Sequence, residues 1–135
     1  MTAPELHAHW QCPPKTILVG VDFGNASARA LGIARVLASA FQTRLRALHA
    51  DRFEPPPYFT MEQITRLEAE RRVAQAATAD NLARFAAASA SQVDTLVADE
   101  PAVDAILGAA HDADLIVVGT HGRRGPGRWL LGSVA

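Results

Sequence analysis

Cysteine is almost missing from this chain: Cys12 is the only one in 135 residues. No intramolecular disulfide is possible, and no zinc cluster built on thiolates can form within one chain. Long apolar runs are missing too. Nothing approaches the ~18 uninterrupted apolar residues of a membrane helix, and Met1 to Trp10 has neither the basic start nor the apolar centre of a secretion signal. The expectation is a cytoplasmic protein with no membrane partner. An excess of one charge is also lacking, since 13 Lys and Arg face 14 Asp and Glu for a formal charge of −1. Affinity gained by coating nucleic-acid phosphates is therefore not expected. Aromatics make up only 6%, and Trp10 and Trp129 stand far apart, which gives no stacking platform for bases.

What is present is the composition of a globular domain, 49% hydrophobic and 20% charged, at a length that suits one domain. Residues 1–14 carry Pro4, Pro13 and Pro14 without periodicity and read as a flexible arm. From Lys15 the pattern becomes regular. Ile17, Leu18, Val19 and Val21 make a nearly continuous aliphatic run ending at Asp22, as in a strand covered on both faces. Ala30, Ile33, Ala34, Leu37 and Phe41 then recur at helical spacing and predict the buried face of a first helix. A second strand is expected from about Arg44 to Asp51.

Pro55, Pro56 and Pro57 exclude regular structure in the next stretch and predict a stiff surface loop. Thr60 and Gln63 have the spacing of a capping box, opening a helix that reaches the upper eighties. On it, Glu62 with Arg66 and Glu68 with Arg72 stand four apart in the favourable order, and its apolar stripe is weak in the middle. A third strand is expected over Val93 to Val97. A third helix follows Pro101 with Val103, Ile106, Leu107 and Ala110 as its buried face, and a fourth strand over Leu115 to Val118. Strands alternating with helices predict an α/β fold with an open, doubly wound parallel sheet. Ligands of such sheets bind beyond the carboxyl ends of the strands, which directs attention to Asp22, to His49 through Asp51, and to the segment after Val118.

That last segment, Gly119-Thr120-His121-Gly122-Arg123-Arg124-Gly125-Pro126-Gly127-Arg128-Trp129-Leu130-Leu131-Gly132-Ser133, is rich in glycine. Glycines at a strand end let free N–H groups approach an anion, so phosphate binding is one reading; a solvated Gly- and Arg-rich surface loop is the other. No Gly-Lys-Ser or Gly-Lys-Thr occurs, which excludes a Walker loop, and the dinucleotide fingerprint would have followed the first strand. A receiver domain is disfavoured because Asp94 lies near the start of the third strand rather than at its end.

Gly119, Gly122, Gly132 and Ser133 fit G-x2-G-x9-G-[S/T], the ATP-binding signature of the universal stress protein family. With Ile17 to Asp22, His49, and Asp114 to Gly122, the chain resembles that family from Lys15 to its end. The resemblance implies a Rossmann-like, adenine-nucleotide α-hydrolase-like sheet in the order 3-2-1-4-5. It also implies a regulatory role in stress response, ATP as ligand with or without Mg2+, and a homodimer formed through the fifth strand. By position it places Asp22 and the backbone at Ala50 toward the adenine, and Gly20 and Gly119 toward the ribose, with Val21 and Val118 flanking them. His121 would contact the nucleotide, while Gly122, Gly132, Ser133, Val134 and Ala135 would meet the phosphates. Relatives continue through a fourth helix and a fifth strand where this sequence stops at Ala135, so the domain over 15–135 is expected to be incomplete at its C-terminus.

Asp99-Glu100-Pro101 stands where relatives often have a Gly-x-Pro turn. Its two carboxylates would either repel a nucleotide's phosphates or cap the third helix. His7, His9 and Cys12 lack a fourth metal ligand, His111 is expected at a solvated helix end, and His49 is expected to satisfy a strand-end hydrogen bond. No nucleophile, base and orienting acid come together in the pattern. A regulatory nucleotide-binding module, a slow ATPase or phosphotransfer protein, and a nucleotide-free scaffold all stay open.

Overall fold

The computed structural model describes residues 12–52, 55–87 and 92–120. Four strands and three helices alternate: β1 (Thr16–Gly20), α1 (Asn25–Phe41), β2 (Arg44–Ala50), α2 (Met61–Ala87), β3 (Val93–Ala98), α3 (Ala102–Ala110) and β4 (Leu115–Val117). All pairings are parallel and the sheet order is β3-β2-β1-β4, as predicted, with β1 between β2 and β4. The amino end of the sheet is closed by Asp114, whose carboxylate accepts the backbone N–H groups of Lys15 (2.8 Å) and Thr16 (3.1 Å).

The aliphatic run of β1 is explained by its central place. Ile17, Leu18 and Val19 are all fully buried, and successive side chains enter different cores because strand side chains alternate in direction. Ile17, Val19 and Val21 pack with Ala30, Leu31, Ala34 and Ala38 of α1 and with Leu82 and Ala86 of α2. Leu18 packs on the other side with Leu48 and Ala105, joined by Ile106 and Ala109 of α3. Helices thus cover both faces.

The buried faces of α1 and α3 differ from those expected. In α1 the inward residues are Ser27, Ala30, Leu31, Ala34 and Ala38, whereas Ile33 is 57% exposed and Phe41 also lies outside the core. In α3 only Ala105 is fully buried, and Val103 and Leu107 are exposed. Small side chains let a helix axis lie close to the sheet, so each helix turns its alanine stripe inward; ranking positions by hydrophobicity alone favours the larger residues. α1 ends without a glycine: Gln42 takes the left-handed conformation (φ 52°) and Thr43 N–H returns to the Ala38 carbonyl at 3.0 Å.

α2 is 27 residues long, about 40 Å at 1.5 Å per residue. Its capping box forms as expected, with Thr60 N–H donating to Gln63 Oε1 (2.9 Å) and Gln63 N–H to Thr60 Oγ1 (3.3 Å). The ion pair observed along its early turns is Arg66 with Glu70, at 3.3 Å on a solvated face, instead of the Glu62–Arg66 pairing expected. Only Leu82 and Ala86 are fully buried, so the helix is anchored near its C-terminus while its first half carries polar side chains. Among the described residues no helix is long and apolar enough to cross a membrane.

Candidate nucleotide-binding cleft

At the carboxyl ends of β1, β2 and β4 lies a cavity of about 120 Å³. It is lined by Gly20, Val21, Asp22, Ala50, Val118 and Gly119, six of the residues singled out from sequence. Ser27, Leu48, His49, Ala102 and Ile106 complete its walls. The other expected contacts, His121, Gly122, Gly132, Ser133, Val134 and Ala135, lie outside the described residues.

Gly20 and Gly119 serve different purposes. A Cβ on Gly20 would stand 3.3 Å from Val118 Cγ1 and 3.6 Å from Ile106 Cδ1, so this glycine keeps the cleft floor open. A Cβ on Gly119 would lie 2.9 Å from both the carbonyl carbon and the Cβ of Ala26. Gly119 therefore lets the end of β4 touch the first turn of α1, a packing role that adds to the expected approach to a ribose.

Asp22 organises the turn between β1 and α1. Its Oδ1 accepts the Gly24 N–H at 2.8 Å and the Ser27 hydroxyl at 2.8 Å, while Ser27 Oγ accepts the Asp22 N–H at 3.3 Å. The Gly24 carbonyl, 3.0 Å from Ser27 Oγ, is a second acceptor for that hydroxyl. This closed set holds the start of α1, where Gly24 itself offers no side-chain cap. Phe23 sits in the left-handed region (φ 61°), and its ring lies 4.6 Å from His49 and 5.6 Å edge-on from Phe85. His49 Nδ1 is 2.7 Å from the Val21 carbonyl. A carbonyl only accepts, so Nδ1 carries the hydrogen, in keeping with the strand-end role expected for this histidine.

Of the two expectations for Asp99 and Glu100, the side-chain cap on α3 does not form. The N-cap of α3 is Pro101, with no side-chain cap bond, and Asp99 instead pairs with Arg71 of α2 at 2.6 Å. Among the described residues no three His, Cys, Asp or Glu side chains converge on a position that would hold a metal ion.

Sequence reasoning missed Ser27, Leu48, Ala102 and Ile106 as lining residues. Ser27 had a usable signal, a hydroxyl five residues after a strand-end aspartate at the start of a helix. The other three reach the cleft only because β2 and α3 flank β1, which no local pattern records.

A parallel sheet with helices on both faces and a glycine-floored cleft beyond the strand ends defines an α/β protein of the Rossmann-like class. Residues 14–135 match the model of the universal stress protein family, and the chain belongs to that family. It is 35% identical over 121 residues to the universal stress protein in the QAH/OAS sulfhydrylase 3' region of Thermus aquaticus, covering 88% of this chain and 86% of that one. Among solved structures it is similar to universal stress protein UspA from Lactobacillus plantarum, with 28% identity and a TM-score of 0.63 over 89% of this chain and 86% of that one. A universal stress protein solved in complex with cAMP shares the fold at 23% identity and a TM-score of 0.53, over 76% of this chain and 69% of the other.

Proposed function

We propose that this protein is a regulatory module that binds an adenine nucleotide, ATP in the first place, in the cleft at the carboxyl ends of β1 and β4. The observation that carries the reading is the convergence of Gly20, Val21, Asp22, Ala50, Val118 and Gly119, far apart in sequence, on one cavity. The apolar walls from Leu48, Ile106 and Val118 suit the faces of a purine, and the strand-end backbone supplies the polar edge. Phosphates would then extend toward the Gly122 to Ala135 signature, with Mg2+ as an accompanying ion. In the same reading the protein acts in the cytoplasm and works as a homodimer without catalysing a reaction of its own. A nucleotide-free scaffold is the second reading, favoured by one fact: Asp22 Oδ1 already takes two hydrogen bonds from the chain's own turn.

Calorimetry with ATP, AMP, cAMP, adenosine and GTP tests the proposal. Binding of the adenine compounds with Kd below about 1 mM, and none of GTP, is the expected outcome. No heat with any adenine compound would transfer the site to the scaffold reading. Sedimentation at high micromolar concentration of a chain carried through the fifth strand tests the homodimer, and a monomer there would overturn it.

A further inference from the structure

We infer that Arg71 is a positioning residue of the cleft, reaching across from α2 to hold together the carboxyl ends of β2 and β3. The inference rests on the nucleotide reading of the site and adds a residue that the cleft lining does not contain. Arg71 lies in a separate groove of about 410 Å³ with Pro55, Glu68, Arg72, Gln75 and Asp99. Its side chain is only 16% exposed. One guanidinium nitrogen, Nη2, donates both to the backbone carbonyl of Asp51 and to Asp99 Oδ1. Asp51 directly follows Ala50 of the cleft wall, and Asp99 directly follows Ala98 of β3. The strands themselves run one rung further there, Asp51 N–H donating to the Ala98 carbonyl at 2.8 Å.

The placement matters because strand ends fray where the ladder stops. Past Ala50 and Ala98 the Asp51 rung joins β2 to β3 among the described residues, and the guanidinium adds a further tie across the same gap. A planar group with forked donors spans a carbonyl and a carboxylate in fixed directions, whereas a flexible ammonium holds them as a point charge. Because half-buried charge is retained where it is paired, the Asp99 carboxylate both holds Arg71 and is neutralised by it. Arg71 thereby steadies the end of β2, whose Ala50 backbone forms one wall of the cleft.

The test compares Arg71→Ala, Arg71→Lys and Asp99→Asn with the natural chain. In ligand-free protein, exchange of the Asp51 amide should quicken about tenfold in Arg71→Ala, relative to the Leu18 and Val19 amides of β1 as internal reference. Arg71→Lys should recover part of that protection, and Asp99→Asn, which keeps the bond to the Asp51 carbonyl, should lose less. Adenosine and ATP should both bind about tenfold more weakly to Arg71→Ala, because the base end of the cleft is what moves. Unchanged Asp51 exchange, or exchange rising equally at the reference amides, would overturn the inference. So would a loss confined to ATP, which would make Arg71 a screen over Asp99 and nothing more. If the natural chain itself binds neither adenosine nor ATP, the nucleotide reading falls, and the exchange result alone then upholds or overturns the tie made by Arg71.

Discussion

Replacing Gly119 by alanine tests whether the contact between β4 and α1 is as tight as it stands. The new Cβ would sit 2.9 Å from the carbonyl carbon and the Cβ of Ala26. Favourable carbon contacts lie at about 3.5–4.0 Å, so one side must yield by roughly half an ångström or more. Ala26 is in the first turn of α1, held by the Asp22, Gly24 and Ser27 hydrogen bonds and by Ala28 N–H on the Gly24 carbonyl at 3.0 Å. Overpacking of this kind costs about 1–3 kcal/mol. For a chain of this size that lowers Tm by about 3–15 °C, taking about 3–5 °C per kcal/mol. Gly32 in α1 and Gly108 in α3 are the controls, since a Cβ there meets nothing within 4 Å. Alanine at either helical position should raise stability by about 0.5–1 kcal/mol. Scanning calorimetry on the three variants decides the matter. A Gly119→Ala protein as stable as the natural one, or stabilised like the two controls, would refute the close approach and leave Gly119 without a packing role.

Other outcomes follow from the same geometry. Asp22→Ala removes the acceptor of two hydrogen bonds, orphans the Gly24 N–H and leaves the buried Ser27 hydroxyl only the Gly24 carbonyl to donate to, costing about 1–3 kcal/mol by urea unfolding, whereas Asp22→Asn keeps an oxygen in place and should cost less than about 1 kcal/mol. Equal losses would show that charge, rather than the acceptor, holds the turn. Leu82→Ala in the anchored end of α2 should cost about 2–5 kcal/mol, while Val73→Ala, at a position 74% exposed, should change stability by less than about 0.5 kcal/mol in the same assay. Gly122→Val, beyond the described residues, should weaken ATP about a hundredfold, ~2.8 kcal/mol, and AMP by less, measured by calorimetry. Equal losses for the two would place Gly122 beside the ribose or base.

The amino-acid sequence by itself determined the features that depend on neighbours along the chain. The unbroken aliphatic run of Ile17 to Val19 identified a strand covered on both faces, and the Thr60–Gln63 spacing located the start of α2. Strand and helix alternation carried the parallel α/β architecture, and that architecture directed attention to the carboxyl ends of the strands, where the cavity lies. These signals are local because hydrophobic periodicity, capping and strand length are settled within one element.

Only the tertiary structure decided what depends on distance between elements. It turned the alanine faces of α1 and α3 inward and left Ile33 and Leu107 outside, since the spacing between helix and sheet rewards small side chains there. It gave Asp99 to Arg71, 28 residues away, and not to the helix that follows it. It also made Gly119 a contact point for Ala26, an approach of two backbones that leaves no mark in composition or period. A long side chain chooses among partners that topology brings within reach, and a missing Cβ matters only where another chain segment takes its space. Neither quantity exists until the sheet has assembled and the helices have packed against it.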